Sequence, residues 1–416
     1  MPGSHVLEVQ ARIQDPPRER CLGDGQPGGQ FAVVCRMVEQ FPCDLTGIRI
    51  AQLEPVRWMP PRLMLVGTVG LVAWLVVPPL ARSIIAARRE SKWTDAARAD
   101  ALRRAAVWHE PPVPIERADL SRDHDSLSDD LSCRFELDEP SGTSPKFDCV
   151  LESGEHVKIK YGGAEPHGEV AATALLRTLG FGADRVQFVQ RVRCRGCPWF
   201  PFTTMKVVQL ARARGIYRRV VNYESSVEFE WVAVERKFPG DAIETGAVRG
   251  WSWHEVKAMK TAPRAHVDAL RLLAAFLAHW DNKAENQRLV CLPGGRDPRG
   301  NCTRPFALIQ DAGATFGPRK VDLDGWRQAP IWHTRAECLV SMEHLPHRGA
   351  TFPPVRISEA GRQFLSVRLS RLSDRQLLAL FQGARFDYHD APIARWVEAF
   401  NAKRREITEG PPCPGL

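Results

Sequence analysis

Alternation of apolar and polar residues predicts short β-strands in the first part of the folded chain. The predicted strands are Arg134–Leu137, Lys146–Leu151, Glu155–Tyr161, Val186–Val192 and Phe229–Arg236. A further strand pair is predicted at Leu289–Leu292 and Phe306–Gln310, around a loop rich in Gly and Pro. Each run has the period of two that places alternate side chains on opposite faces of a sheet.

Helical spacing dominates the later part of the chain. Helices are predicted at Glu169–Leu179, which Gly180 ends, and at Arg264–Trp280, where apolar residues recur at every third and fourth position. Ser373 and Gln376 form the pattern of a capping box ahead of a third helix. Strands first and helices later predict an α+β fold with two lobes, a small β-rich N-lobe over about 131–240 and a mostly helical C-lobe over about 241–408.

One segment, Leu63–Ala81, contains nineteen residues without a charge, which is just long enough to cross a bilayer. It is a single membrane anchor or, if translation begins at Met59, a secretory signal cut near Ala81 or Ala87. A buried helix fits less well because of the paired prolines 78–79. Basic residues are denser after the segment, which for an uncleaved anchor favours a cytoplasmic C-terminal side.

The segments that flank the apolar run look unstructured. Residues 1–58 are rich in Arg, Pro, Gly and Gln, and are predicted to be a disordered tail or an over-extended gene start. Residues 59–92 hold the signal or anchor, and residues 93–130 are predicted to be a polar linker. The folded domain is therefore predicted over 131–408.

The overall composition narrows the class of protein. Hydrophobic residues make up 44% and charged residues 25% of the 416 residues, which excludes a wholly disordered chain and a polytopic membrane protein. The net charge of +8, from 57 basic and 49 acidic residues, suits a partner that carries phosphate. It is too small to indicate nucleic acid, and we expect no nucleic-acid partner.

The segment His279-Trp280-Asp281-Asn282-Lys283-Ala284-Glu285-Asn286 follows the predicted helix at 264–280 directly. A carboxylate and an amide five residues apart on a loop can act together on one phosphoryl group. Asp281 can accept a proton from an attacking hydroxyl or orient it, and Asn286 can hold a divalent cation. Lys283 lies between them, where it can neutralise charge on the transferring phosphate.

Three further sequence elements contain candidate metal-binding or phosphate-binding residues. Asp311 follows an apolar strand and precedes Ala312-Gly313, a natural place for a Mg²⁺ ligand. Lys158 and Lys160 share one face of the third strand; we prefer Lys160 as a phosphate ligand because it ends that strand, and Lys158 is the alternative. The third element, Glu169, begins the next helix and can pair with either lysine.

A loop between the first two strands, Ser141-Gly142-Thr143-Ser144, occupies the place where kinases carry a loop over the phosphates. It lacks the full G-x-G-x-x-G pattern. Ser141, Gly142 and Thr143 are candidate phosphate-binding residues.

These motifs resemble those of kinases. His279, Asp281 and Asn286 match the catalytic-loop pattern H-R-D-L-x-x-x-N, with Trp280 in place of Arg, and Asp311 to Gly313 resembles D-F-G without the Phe. The run from Glu169 is similar to a helix of HipA-type kinases, phosphatidylinositol kinases and the secreted Golgi casein kinase family. The stretch that begins at Ser141 looks like the HipA-type phosphate loop.

The resemblance extends in order over about 131–386 and implies an atypical kinase with a bilobal fold. It implies ATP with Mg²⁺ or Mn²⁺ as cofactors, and a protein or carbohydrate acceptor. By this resemblance Asp281 would be the catalytic base, Asn286 and Asp311 the metal ligands, Lys160 the ATP lysine and Glu169 its partner. The insert Cys291–Pro305 lengthens the gap between Asn286 and Asp311 beyond that of ordinary protein kinases.

Eleven cysteines bear on the compartment. Three local disulfides are predicted, Cys133–Cys149, Cys194–Cys197 and Cys291–Cys302, and Cys338 is left unpaired. A zinc site at the C-x-x-C of Cys194 and Cys197, or simply buried thiols, are the alternatives. Disulfides require an oxidising space, so they favour an extracytoplasmic or membrane-tethered protein.

The leading hypothesis is an extracytoplasmic or membrane-tethered ATP-dependent kinase that modifies a hydroxyl. Three alternatives are open at the level of sequence: an inactive kinase-like binding module, AMP transfer on the same fold, and a structural protein of the cell envelope.

Overall fold

Five strands dominate the first half of the folded chain, after an initial helix. The computed structural model describes residues 93–122, 126–138, 141–346 and 349–415. Its first strands are β1 (Asp130–Glu136), β2 (Lys146–Leu151), β3 (His156–Lys160), β4 (Arg185–Arg195) and β5 (Ser226–Arg236). They close into a barrel in the order β1-β2-β3-β5-β4, in which β1 and β4 run parallel and the other neighbours antiparallel. The five strands predicted by alternation are confirmed.

Helices dominate the later part. The α-helices are α1 (Asp95–Arg104), α2 (Glu165–Thr178), α3 (Pro201–Leu210), α4 (Arg214–Val220), α5 (Arg264–Phe276), α6 (Leu323–Gln328), α7 (Glu359–Ser370), α8 (Asp374–Gly383), α9 (Phe386–His389) and α10 (Ile393–Thr408). A second sheet joins β6 (Asp241–Ala242), β7 (Gln287–Cys291) and β8 (Pro305–Ile309), and β9 (Leu339–Val340) pairs with β10 (Val355–Arg356). Mixed helix and strand content, with strands concentrated first, agrees with the α+β prediction.

The barrel has an apolar interior of its own, built from alternate residues of its strands. The rings of Phe147 and Phe229 lie 4.9 Å apart, and those of Phe135 and Phe147 lie 6.0 Å apart. Full burial of one such side chain stabilises the fold by roughly 1.5–3 kcal/mol. The packed interior therefore fixes the positions of the strand ends and of the polar side chains that they carry.

The helical part is centred on aromatic side chains. The rings of Phe316 and Trp326 lie 5.0 Å apart, and those of Phe386 and Trp396 lie 4.6 Å apart. The predicted capping box is confirmed at the start of α8, where the Ser373 backbone N–H donates to Gln376 Oε1 at 3.0 Å. Capping of this kind satisfies backbone donors that the first turn of a helix leaves without partners.

Two helices differ from their predicted limits in ways that matter for the site. Helix α2 begins at Glu165 rather than Glu169, because Pro166 is tolerated in a first turn, where no backbone N–H is needed. Helix α5 ends at Phe276 rather than Trp280, since Ala278 adopts a φ of +53°, outside the helical region. Glu169 thus lies within a helix, and His279 and Trp280 begin a loop.

The predicted linker over 93–130 is wrong for most of its length. Residues 95–104 form α1, and Arg98 from this helix makes an ion pair with Glu255 at 2.8 Å. Gln376 Nε2 donates to the Ile115 carbonyl at 2.6 Å. Seven apolar residues between 93 and 120 are buried in the main core: Trp93, Ala101, Leu102, Ala105, Val107, Ile115 and Leu120. The polar composition of this segment predicted a linker. Its few apolar residues are nevertheless buried, because they pack against distant parts of the chain.

Four disulfides are present in the described chain. Three are those predicted, Cys133–Cys149, Cys194–Cys197 and Cys291–Cys302. The fourth, Cys338–Cys413, corrects the expectation that Cys338 is unpaired. Its partners are 75 residues apart in sequence, too far for local spacing to reveal the bond. Bonding of Cys194 to Cys197 also removes the thiolates that a zinc site there would need.

The segments before residue 93, including the tail 1–58 and the apolar run Leu63–Ala81, lie outside the described residues. Within the described part, none of the helices combines the length and the apolar character needed to cross a membrane.

Candidate active site

A buried lysine lies between two carboxylates at the end of β3. Lys160 Nζ is 2.6 Å from each carboxylate oxygen of Glu169 on α2, and 2.8 Å from Glu235 Oε2 on β5. The three side chains are at most 5% exposed. The predicted contact between Lys160 and Glu169 is therefore formed, whereas Glu235 is a second partner that sequence analysis missed.

Lys158, the alternative, lies elsewhere on the same face of the strand. Its ammonium is 3.8 Å from Asp148 and about a quarter of the side chain is exposed. In the backbone register of β3 and β5, Lys158 is directly opposite Glu235, and Lys160 is opposite Ala233. Lys160 therefore reaches Glu235 diagonally, as neighbouring positions on one face of a sheet allow.

The pKa values show how strongly these groups depend on one another. Burial acts to lower the pKa of Lys160, but Glu169, Glu235 and Asp311 outweigh it and hold the pKa well above its usual value. Burial raises the pKa of Glu169 to about 8, because Asp311 and Glu235 add to it and Lys160 offsets it only in part. For Glu235, Lys160 and Lys237 overcome burial, and the pKa falls well below its usual value.

The loop after α5 carries Asp281, Lys283 and Asn286. Lys283 Nζ lies 3.2 Å from Asp281 Oδ2, and both side chains are partly exposed. Asn286 Nδ2 donates to the Asp281 carbonyl, which closes the loop on itself. Because the amide nitrogen is engaged in this way, the amide oxygen of Asn286 is the atom left to bind a cation.

Asp311 is joined to this loop through the backbone. The N–H groups of Gln310 and Asp311 donate to the Asn286 carbonyl at 2.8 and 3.0 Å. Asp311 Oδ1 accepts a hydrogen bond from the Gly313 N–H at 3.2 Å. Burial acts to raise the pKa of Asp311, but Lys160, this hydrogen bond and Lys146 together lower it. The structure thus brings together the two residues predicted as metal ligands, although they are separated by the long insert.

Gly313 has a packing role that its motif did not reveal. A Cβ at this position would lie 2.3 Å from Glu165 Cγ, at the start of α2. Glu165 also contacts Ser144 of the loop before β2, and Lys320. Glu165, in the first turn of α2, therefore packs against the turn at 311–313 and contacts the loop at 141–144.

Asn282 and Trp280 hold the loop over 279–286 in place, and sequence analysis gave neither a role. Asn282 Oδ1 accepts from the backbone N–H groups of Thr351 and Phe352 at 2.8 and 2.9 Å, and its Nδ2 donates to the His279 carbonyl. Trp280 Nε1 donates to the Gly317 carbonyl at 3.1 Å. Burial lowers the pKa of His279 to about 4, so that its ring is neutral at physiological pH.

The loop Ser141-Gly142-Thr143 is exposed and lies over a second buried lysine that sequence analysis missed. Lys146, the first residue of β2, is opposite Lys160 in the β2–β3 register. Its ammonium is 3.3 Å from where a Cβ of Gly142 would lie. Burial and the neighbouring Lys160 lower the pKa of Lys146, while Asp311 and Glu165 act to raise it. A phosphate beneath the loop would offset that crowding of positive charge.

No family model and no curated protein matches the chain. Among solved structures, a Helicobacter pylori proinflammatory kinase, CtkA, is similar at 10% identity and a TM-score of 0.38, over 68% of this chain and 96% of that one. The Golgi casein kinase with Mn/ADP bound is similar at 13% identity and a TM-score of 0.29, over 77% and 76%. At these TM-scores the whole chains diverge widely, and no activity or substrate follows from them.

Proposed function

We propose that this protein is an atypical kinase that transfers the γ-phosphoryl group of ATP to a hydroxyl of a protein or carbohydrate. The observation that carries the proposal is the buried contact of Lys160 with Glu169, set beside Asp311, which the Asn286 carbonyl joins to the loop of Asp281. A buried ammonium held by a helix glutamate is the arrangement that positions nucleotide phosphates in kinases.

The residues fit a divalent cation. Asp311 offers a carboxylate and Asn286 an amide oxygen, the hard oxygen ligands that Mg²⁺ and Mn²⁺ prefer. Burial raises the pKa of Glu169 to about 8 and Asp311 and Glu235 add to that rise, so a cation beside Asp311 would offset the part that is due to negative charge. When bound, the cation neutralises charge on the β- and γ-phosphates.

The chain's own residues perform the remaining steps. Lys160 and Lys146 bind phosphate oxygens beneath the loop Ser141–Thr143, and Asp281 accepts the proton of the acceptor hydroxyl. That oxygen forms a bond to the γ-phosphorus as the bond to the β-phosphate oxygen breaks, and ADP leaves. Lys283, 3.2 Å from Asp281, neutralises charge on the transferring group.

An extracytoplasmic location is part of the proposal. Four disulfides support it, because such bonds persist in oxidising compartments and are rare in the cytosol. Residues 63–81 would then serve as a cleaved signal or as a membrane tether.

The test is transfer from γ-labelled ATP by the full chain with Mg²⁺ or Mn²⁺, to itself and to a panel of proteins and glycans. We expect Asp281→Asn and Asp311→Asn each to lower the rate by about 10²–10³ or more. Asp387→Asn, at an exposed aspartate of α9, is the matched control and should retain the wild-type rate.

Each contrary outcome has a clear meaning. Equal rates in wild type, Asp281→Asn and Asp311→Asn would refute the assigned roles. Nucleotide binding without transfer to any acceptor would identify an inactive binding module. A product whose mass increases by an AMP group rather than by a phosphate would identify AMP transfer.

A further inference from the structure

A pair of helices between β4 and β5, residues 199–223, stands out on the surface of the barrel; we call it the helical insertion. It begins just after the Cys194–Cys197 disulfide and contains α3 and α4. Helix α3 packs against the barrel through Met205 and Val208, and Pro201 at its start is also buried. The buried side of α3 therefore contributes to the packing of the barrel.

The other side of α3 presents apolar residues to solvent. Phe200, Val207 and Leu210 are 71%, 59% and 75% exposed. At 100° per residue Val207 and Leu210 lie on one stripe of α3, opposite the buried Pro201, Met205 and Val208, and Phe200 directly precedes the helix. In α4, Ile216 and Val220 are four residues apart, as neighbours on one face are, and both are about two-thirds exposed or more.

The insertion is also strongly basic. Residues 199–223 include five cationic side chains and neither Asp nor Glu. The cationic residues are Lys206, Arg212, Arg214, Arg218 and Arg219. Within the described residues only Arg214 of these five forms an ion pair, with Asp138 at 3.2 Å. Exposed apolar side chains and uncompensated positive charge therefore coincide in one short segment.

We propose that the helical insertion binds an anionic lipid surface. Amphipathic helices with apolar side chains on one face and Lys or Arg beside them lie in the membrane interface, where Trp side chains such as Trp199, 53% exposed, are also favoured. A second copy of this chain would bring five more cations to the contact. The uncharged segment 63–81 would cover apolar residues but leave the arginines without counter-charge.

The experiment measures binding of the full chain to phosphatidylcholine vesicles with and without phosphatidylglycerol, by co-sedimentation at low and high salt. We expect the wild type to bind the anionic vesicles better, and salt to weaken that preference. Arg218→Glu with Arg219→Glu, and separately Leu210→Ser with Ile216→Ser, should weaken binding to anionic vesicles by about tenfold or more. Because segment 63–81 is unchanged, the difference reports on the insertion.

Matched controls lie on the helical part of the molecule. Arg375→Glu with Arg405→Glu makes the same change of charge, and Val367→Ser with Leu378→Ser removes two other exposed apolar side chains. Both should bind as the wild type does. Hydrogen exchange should also show that anionic vesicles protect peptides from 199–223.

Three results would overturn the proposal. One is equal binding of the wild type and the insertion variants to anionic vesicles. Another is protection confined to peptides outside 199–223. The third is a change of oligomeric state in the variants without vesicles, which would identify the surface as a contact between protein chains.

Discussion

Two regions contain neighbouring cationic side chains, which are buried in one region and exposed in the other. In the candidate active site, Lys160 is buried and contacts two carboxylates, and Lys146 is buried beside it. In the helical insertion, Arg218 and Arg219 are exposed, in a segment without acidic residues. Burial makes the charge of Lys160 dependent on its partners, whereas exposure leaves the insertion's charges available to an external ligand.

The largest effect should follow the loss of the buried ammonium. Lys160→Met leaves Glu169 buried without a cation and leaves Glu235 with Lys237 alone, which should lower the free energy of unfolding by about 3–5 kcal/mol and abolish transfer. Urea denaturation measures the first and the labelled-ATP assay the second. Lys158→Met, on the same strand face but partly exposed, should cost about 1 kcal/mol or less.

If Lys160→Met does not fold, the double variant Lys160→Met with Glu169→Gln tests the same point. Removing the charge of Glu169 should restore part of the lost stability, because Glu169 is the carboxylate left without a cation, whereas Glu235 keeps Lys237. Stability of Lys160→Met equal to that of the wild type would contradict the buried contact described above.

A smaller effect should appear in the dependence of stability on pH. The pKa of Glu169 is about 8 in the folded protein and about 4.5 in the unfolded chain, so the folded state binds the extra proton between these values. Stability from this group is thus fully present below about pH 4.5 and lost as pH rises towards 8. Glu169→Gln should flatten that decline, measured by urea denaturation at pH 5 and 8 with chelator present. An unchanged pH slope would argue against the raised pKa.

The smallest effect on stability is expected in the insertion. Arg218→Met with Arg219→Met should change the free energy of unfolding by no more than about 0.5 kcal/mol, because neither side chain is buried. The same urea measurement that detects the loss in Lys160→Met provides the comparison. A loss of several kcal/mol would mean that the two arginines are structural, and the contrast between the regions would fail.

Much of the site was accessible from sequence because its parts are local. Asp281, Lys283 and Asn286 lie on one short loop, and Lys160 precedes Glu169 by nine residues across a single turn. Their contacts depend mainly on short stretches of backbone. Glu235 and Lys146 were missed because their neighbours are set by the register of separate strands, and a one-residue slip would turn either side chain to the other face of the sheet.

Sequence by itself determined the strand and helix periods, the three disulfides close in sequence and the motifs of the candidate active site, since each depends on spacing along the chain. Tertiary structure alone decided which residues of the apparent linker become core, that Cys338 bonds Cys413, and that Lys160 lies between two carboxylates rather than against one. It also decided that Phe200, Val207 and Leu210 face solvent. The physical reason is that burial and pairing depend on contacts between segments far apart in the chain. A local sequence pattern does not predict which of these segments come into contact.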